Sequence, residues 1–422
     1  MFLHIDIDSF FASAECSVNP KLKGLPICVG SRSNLEIFHT KPTGTRLINK
    51  NTGAFVAPVF HSSQKRTFEN YFIDIVNENK KIRGIVTTAS YEARAKGVKT
   101  AMPIAKALKL CPEMIVLPSN YSLYHTLSHK LYTFIQTWIP RVEQYSIDEF
   151  FGDLSGWVRD EEAYKFSKNL QADILEHFDL PVSIGISKAK WIAKLATESA
   201  KPYGIYEVKN IDAYIEDIPI DKFPGIGKGF QKRLSEHYIR TLGEAKRNKA
   251  LFYRWKKPGI RLYKRITGRC NEGISLQKKR KSIGISRTFD AIYDHHEIRR
   301  RIAIMARHIV YMATDLGVNP TTYYLKINYE YGIKRKQNQR CERLFSEHLF
   351  KAQLYQMHKR LELKDKGAVK LSLSVYNFDN GDQKTFSLLN LHYDIKYHRL
   401  TKVLHTIRKK FGLDMIKTAN EL

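Results

Sequence analysis

The chain has 422 residues, 43% of them hydrophobic and 12% aromatic, which excludes a disordered or fibrous protein and leaves room for several domains. Its formal net charge is +28, and the excess is unevenly spread: residues 1–227 carry a net +2 and residues 228–422 a net +26. Such a half calls for a polyanionic partner, nucleic acid above all, and the lack of a concentrated basic amphipathic helix argues against a membrane surface. The five cysteines include no CxxC pair, which fits a reduced intracellular compartment without structural zinc. No apolar run approaches the roughly 20 residues that span a bilayer, so a soluble, cytoplasmic protein with no membrane partner is expected.

The first stretch, Phe2-Leu-His-Ile-Asp-Ile-Asp8, alternates as a strand does. Ser9 is placed to cap a helix that begins with Phe10 and Phe11. Leu25–Gly30 reads as a short buried strand. From about Arg32 to about Gly84 the chain is polar and irregular, and no element is assigned. Gly84–Val98 reads as strand, turn and helix; Met114–Asn120 as a strand; Tyr121–Trp138 as a helix. Val142–Leu154 is strand, turn, strand. An amphipathic helix and a strand follow, then a helix that closes at Lys201-Pro202. This mixture lacks a regular βαβ rhythm, so an α+β domain is expected through about residue 208. Residues 209–275 look helical and residues 276–285 form a basic connector. The remainder mixes a long helix, strands over Thr322–Tyr331 and Val369–Phe378, and a helix over Arg399–Phe411.

Asp6 and Asp8 are two apart and so share one face of a strand. The plain explanation is a solvated edge. A second acidic pair, Asp148 and Glu149 in Ser-Ile-Asp-Glu-Phe, falls at a tight strand turn, and together the pairs suggest three or four carboxylates converging on one sheet. Like charges held so close need cations. Oxygen ligands select Mg²⁺, and two such ions can activate an attacking oxygen and stabilise a leaving one. Thr88, Tyr91 and Arg94 recur at i, i+3 and i+6, a plausible single face of a helix start, where tyrosine and arginine can grip phosphate. Lys201 could add a cation. In Phe223-Pro-Gly-Ile-Gly-Lys228, Gly225, Gly227 and Lys228 open a helix whose free N–H groups suit a DNA phosphate. The run Lys278, Lys279, Arg280, Lys281 is a solvated linker, a localisation signal or a backbone-tracking patch.

The motifs HIDIDSFFASAE, YEAR, SIDE, GISKAKWIAKLATESAKPYG and FPGIGK, in that order, resemble the Y-family translesion DNA polymerases over most of the chain. The tail VKLSLSVYNF, IRKKFG, IKTANEL is similar to the bacterial UmuC-like branch rather than the minimal DinB type. The resemblance implies an α+β right-handed polymerase: a palm (1–10 and 115–208), fingers (11–114), a helical thumb (209–275) with a helix-hairpin-helix-like turn, a linker (276–285) and a little finger (286–422). It implies error-prone, template-directed synthesis past lesions without proofreading, on primer-template DNA and deoxynucleoside triphosphates. Asp6, Asp148 and Glu149, with the Ile7 carbonyl, would hold two Mg²⁺ ions. Asp8 matches a supporting carboxylate. Phe10, Phe11, Thr88, Tyr91, Arg94 and Lys201 would bind the nucleotide, with Phe11 as the steric gate.

Two departures stand out. The stretch 32–84 is much longer than the family pattern, an insertion expected in the fingers. At the place of a sliding-clamp motif the chain reads Thr385-Phe386-Ser387-Leu388-Leu389, without the leading glutamine, so Phe386, Leu388 and Leu389 form a degenerate clamp contact. Helper subunits are also expected, as UmuC-like enzymes often need them. The rivals are a two-metal nuclease, which needs neither triphosphate grip nor gate, and a catalytically inactive DNA-binding subunit.

Overall fold

The alternation of the first residues places them at the centre of a five-stranded sheet. In the computed structural model β1 (Phe2–Ile7) pairs antiparallel with a strand on either side. The structure describes residues 1–39, 46–48, 59–61, 67–76, 79–276, 280–379 and 388–422. Contacts divide these into two units: residues 1–31 and 67–276, and residues 32–39, 46–48, 59–61 and 280–422.

In the first unit, β1 leads into α1 (Phe10–Val18) and β2 (Ile27–Ser31). Two short strands of the second unit intervene, β3 (Arg46–Ile48) and β4 (Val59–His61), paired with each other. The first unit resumes at α2 (Phe68–Phe72) and the hairpin of β5 (Ile73–Val76) and β6 (Asn79–Ile82). Next come β7 (Ile85–Ala89), α3 (Tyr91–Ala95), α4 (Ile104–Leu110) and β8 (Ile115–Pro118). β7, β2 and β8 form a three-stranded sheet. After α5 (Tyr121–Trp138) come β9 (Val142–Gln144), β10 (Glu149–Asp153), α6 (Ala163–Phe178), β11 (Val182–Ser187), α7 (Lys190–Ala200) and β12 (Ile205–Val208). The five-stranded order is β12-β11-β1-β10-β9. Leu3, Ile5 and Ile7 face a core shared with Leu131 and Ile135 of α5 and Leu170 and Ile174 of α6. His4 and Asp6 therefore face the other side, where α7 lies. Five short helices follow, α8 (Ile211–Ile215), α9 (Lys228–Ser235), α10 (Leu242–Arg247), α11 (Lys249–Arg254) and α12 (Lys256–Ile266), which share a core with α7.

The seat of α7 is set by Gly185 in β11. A Cβ there would lie 2.1 Å from the Ala193 carbonyl oxygen and 2.5 Å from the Thr197 nitrogen, so only glycine lets the helix backbone lie on the strand.

In the second unit, β13 (Ser282–Ile292), β14 (Asn319–Tyr329), β15 (Lys334–Arg340) and β16 (Ala368–Asp379) form a sheet of order β13-β16-β14-β15. α13 (His295–Asp315) and α14 (Glu347–Leu361) cover one face, and α15 (Leu391–Phe411) packs on those two helices. The residues expected to form a basic connector already include the start of β13. The stretch expected as a fingers insertion is also divided differently: residues 32–39 belong to this unit, whereas α2, β5 and β6 belong to the first. Ile37 and Phe38 are buried in the core of the second unit. The Thr288 amide donates to Ser33 Oγ (2.9 Å), Arg287 Nε to the Asn34 carbonyl (2.9 Å), and both terminal nitrogens of Arg300 to the Phe38 carbonyl (3.0 Å each). Arg301 stacks 4.6 Å from the Phe38 ring centroid.

Ser9 stands at the N-cap of α1 with a left-handed backbone (φ 47°, ψ 41°), and its side chain makes no cap bond. Its carbonyl instead accepts from Ala12 and Ser13.

Because backbone lies against backbone at Gly185, we expect Gly185→Ala to destabilise the protein by about 1–3 kcal/mol. The Cβ of Gly152→Ala would meet only the Ile139 side chain, 2.7 Å away, and should cost less. Urea denaturation of the two variants checks the order; equal midpoints would remove the constraint on α7.

Candidate active site and nucleic-acid face

Asp6 on β1 lies directly opposite Glu149, the first residue of β10. The Ile7 amide donates to the Asp148 carbonyl (3.0 Å), which fixes the turn between β9 and β10 against β1. Ser146 Oγ donates to the Asp148 carboxylate and accepts from the Asp148 amide. Three carboxylates thus meet at one end of the sheet. Burial pushes Asp6 up to about 7, with the Asp148 and Glu149 charges adding to it and Lys201 opposing. Burial likewise raises Asp148, with Glu149 adding.

The countercharges come from α7 and its exit. Lys194 pairs with Glu149. Lys201 Nζ is 3.1 Å from Asp6 Oδ1 and 2.9 Å from Glu198 Oε1. His4, on the same face, is held far below the usual histidine range by burial and by Lys194, Lys201 and Lys190; its Nδ1 lies 2.8 Å from Thr197 Oγ1. Sequence reading missed Lys194 and His4, although Lys194 lies in a quoted motif, and the alternation that exposes Asp6 also exposes His4.

Among the described residues, no three Asp, Glu, His or Cys side chains stand close enough together to hold an ion. The donors themselves suit a hard divalent cation. They are all oxygen, partly buried and mutually repelling, and burial together with the Asp148 and Glu149 charges pushes Asp6 up.

Asp8 is differently occupied. Its carboxylate accepts from Ser183 Oγ (3.0 and 2.9 Å), the Tyr203 amide (2.7 Å) and the Tyr91 hydroxyl (3.2 Å). These bonds tie β1, β11, α3 and the loop after α7 together at the end of the sheet.

Phe10 and Phe11 lie side by side, with ring centroids 5.4 Å apart, and differ in burial. Phe10, expected to touch a nucleotide, is buried in the core with Tyr124. Phe11 is half-buried, stacked on Tyr124 at 4.3 Å and 12° and edge-on to Tyr121 at 5.7 Å. Thr88, Tyr91 and Arg94 do not share a helix face. Thr88 is in strand β7, and only Tyr91 and Arg94 are in α3. The Ser90 side chain caps α3, so the strand gives way to helix between them. Arg94 Nε donates to the Ala89 carbonyl (2.9 Å), and its guanidinium stacks 5.0 Å from the Tyr91 ring centroid.

The Gly225–Lys228 turn has the expected form. Gly225 has φ +101°, which favours glycine, Ile226 is buried, and Gly227 is the N-cap of α9. Lys278 and Lys279 lie outside the described residues, as does Phe386. Lys281 is exposed; Arg280 is half-buried, and burial lowers its pKa. Leu388 and Leu389 lie in a 3₁₀ turn before α15, and Leu389 is 93% exposed.

A basic surface that sequence reading missed lies on the uncovered face of the second unit's sheet. Lys326 on β14 is directly opposite Lys336 on β15 and Ser372 on β16, and Asn328 is opposite Lys334 and Lys370. Tyr324, Ser374 and Asn338 continue the face. Like charges directly opposite one another destabilise a sheet, and none of these four lysines forms an ion pair among the described residues. The signal was available in Lys334-Arg-Lys-Gln-Asn-Gln-Arg340, but that run shows no hydrophobic alternation.

Residues 5–198 match the impB/mucB/samB family. A curated DNA polymerase IV of Staphylococcus aureus (strain bovine RF122 / ET3-1) is 31% identical over 343 residues, 79% of this chain and 90% of that protein. The DNA polymerase IV of strain JH9 is 29% identical over 394 residues, 92% of this chain and 97% of that protein. These relatives carry the name DNA polymerase IV, not that of the UmuC-like branch expected from the tail. Among solved structures, the Y-family DNA polymerase chimera Dbh-Dpo4(243-245)-Dbh superposes with a TM-score of 0.69 at 21% identity, covering 89% of this chain and 98% of that one. The insertion ternary complex of Dbh DNA polymerase gives a TM-score of 0.55 at 22% identity, with the same two coverages. Their likeness is one of fold, and the sequence relatives extend it to the family. The chain belongs to the Y family of translesion DNA polymerases.

Proposed function

We propose that the chain is a DNA-directed DNA polymerase that extends primers past damaged template bases, with Asp6, Asp148, Glu149 and the Ile7 carbonyl as the Mg²⁺ ligands and Phe11 as the sugar-selecting wall. The meeting of three carboxylates at the end of the β1–β10 pair carries this reading. Mg²⁺ held by these residues would supply the charge that lowers the pKa of the primer 3′-hydroxyl and offsets that of the triphosphate. In the transfer, the 3′-oxygen bonds to the α-phosphorus, the bond to the β-phosphate bridge breaks, and pyrophosphate leaves. Lys201 gives Asp6 its countercharge and, were a divalent cation to take that place, would supply a positive charge for a phosphate oxygen. Tyr91, the first residue of α3, Arg94 in its last turn and Thr88 on β7 complete the phosphate grip. The Tyr91 hydroxyl is meanwhile held on Asp8.

Synthesis without proofreading is part of the same proposal and rests on the resemblance to the Y-family polymerases. The nuclease rival does not explain an aromatic wall backed by Tyr121 and Tyr124. An inactive binding subunit does not explain three carboxylates kept together at the cost of repulsion. The lysine face of the second unit's sheet supports DNA-backbone binding there, with Gly225, Gly227 and Lys228 as a further phosphate contact. A clamp contact at 385–389 rests on the exposed Leu389 alone.

Removing one carboxylate should abolish chemistry but not binding. Asp148→Ala is expected to lower primer extension about a thousandfold or more, several kcal/mol of transition-state stabilisation, with primer-template affinity largely kept. Near wild-type extension by this variant would refute the metal assignment.

Phe11 has no polar atom, so its contribution is bulk. Phe11→Ala should fold, insert dCTP opposite template G, and accept rCTP far more readily than wild type. Phe10→Ala, a core truncation, should lose roughly 3–5 kcal/mol of stability instead. A folded, active Phe11→Ala enzyme with an unchanged dCTP/rCTP preference would exclude Phe11 as the wall.

Neutralising the sheet face should weaken DNA binding without touching catalysis. For Lys326→Gln/Lys336→Gln/Lys370→Gln we expect the slope of log affinity against log salt to fall by about one per lysine that meets a phosphate. Anisotropy titrations at several salt concentrations measure it; an unchanged slope would place DNA elsewhere.

A further inference from the structure

Helix α15 is built the wrong way round for a helix at the surface. Its buried positions, seven residues apart, are Asp394, Thr401 and Arg408. Each has a polar partner. Arg343 makes two bonds to Asp394 (2.6 and 3.1 Å), the Glu347 amide donates to Thr401 Oγ1 (3.0 Å), and Arg408 pairs with the Glu347 carboxylate (2.5 Å). Arg408 also donates to the Ile416 carbonyl. The helix is therefore held on its neighbours by charge and hydrogen bonds along its buried face and by Tyr397 stacked on His348, and its exposed apolar residues take no part.

Those apolar residues form a stripe. Tyr393, Leu400 and Phe411 lie two and three helical turns apart, on one line along the helix, and are 60%, 48% and 57% exposed. Beside the stripe a cavity of about 330 Å³ lies between α14 and α15, lined by Leu400, Leu404, Tyr397, His348 and Tyr355 among others. The His348 and Tyr397 rings stack at 4.0 Å and 8° on its wall. At about 100° per residue, Lys396, Arg399 and Lys410 fall along the edge of the stripe away from the buried face. No acidic partner is found for any of the three among the described residues.

We propose that this surface docks an amphipathic helical segment of another protein, with bulky apolar side chains seated on Leu400 and in the cavity and acidic side chains along the edge facing Lys396, Arg399 and Lys410. Charge complementarity chooses this occupant. A second copy of the chain would bring two basic edges together, and DNA would leave the apolar stripe uncovered. The uncovered sheet face, on the far side of α13 and α14, already offers DNA a polar, basic surface. The arrangement is that of a helix in a groove, read by anchors at helical spacing.

The test uses the full-length protein saturated with primer-template DNA and a displayed library of random peptides of about 16 residues, four to five turns of helix. Selection against wild type, with Leu400→Asp as the counter-target, should enrich peptides with apolar residues at i, i+3/i+4 and i+7 and with Asp or Glu on one edge. Synthesised, these should bind wild type and lose roughly tenfold or more in affinity to Leu400→Asp. Lys396→Glu/Arg399→Glu should reverse the preference to lysine-edged versions. Primer extension by Leu400→Asp should equal wild type, which shows that the variant is folded. The proposal is overturned if no peptide is enriched over the counter-target, if enriched peptides show no acidic bias, or if primer-template DNA competes with them. It is also overturned if the wild-type chain self-associates in sedimentation and Leu400→Asp makes it monomeric.

Discussion

The repulsion among Asp6, Asp148 and Glu149 is the constraint around which the first unit is arranged. Three carboxylates on adjoining backbone, partly out of water, would on their own favour separation or protonation. The fold holds them by covalent and hydrogen-bonded geometry, through the β1–β10 register and the Ile7–Asp148 bond, and then brings cations to them. That requires α7 to lie close enough for Lys194 and Lys201 to reach, which in turn requires the missing side chain at Gly185. Asp8 keeps its charge out of the contest because its oxygens are spent on four hydrogen bonds from three directions. The same strand puts its other residues, Leu3, Ile5 and Ile7, into the deepest part of the core. A single period-two pattern thereby serves both stability and chemistry.

The two units divide the electrostatic work. In the first, the charges around the site are balanced locally, with Lys194 and Lys201 set against Glu149 and Asp6 at short range. In the second, Lys326 stands opposite Lys336 and two further lysines flank Asn328, with no acid at these register positions among the described residues, an arrangement that a polyanion or solvent ions would relieve. Buried charges there are confined to the other side, where Arg307 pairs with Asp414 and Glu421, and Lys351 with Glu347 and Glu421. These pairs hold the last residues of the chain beneath α13 and α14.

What could be read from the sequence followed from local pattern. The alternation in β1, the long helices α5, α6 and α13, and the Ser-Ile-Asp-Glu turn all carry their signal within a dozen residues. What could not be read depends on context. β15 is polar on both faces and has no period to detect. β13 was hidden in a run read as a linker. Thr88, Tyr91 and Arg94 keep helical spacing across a boundary between strand and helix that only the Ser90 cap marks. Phe10 and Phe11 are chemically alike, and nothing in their order tells which is buried and which is half-buried. Above all, the burial of Ile37 and Phe38 depends on partners some 250 residues away, Phe289 and Arg301 among them.

That last feature bears on modularity. Polymerases of this kind invite the exchange of a C-terminal piece between relatives by cutting in the linker. Here the cut would carry away β13, α13 and Arg300 but leave Ile37 and Phe38 behind in the donor. The transplanted piece would expose the patch they cover and would lack the two carbonyls, of Asn34 and Phe38, on which Arg287 and Arg300 end. The heritable unit in this chain is therefore discontinuous. A recombinant that works must exchange the short N-terminal stretch and the C-terminal domain together, so natural chimeras joined at the linker alone should be selected against.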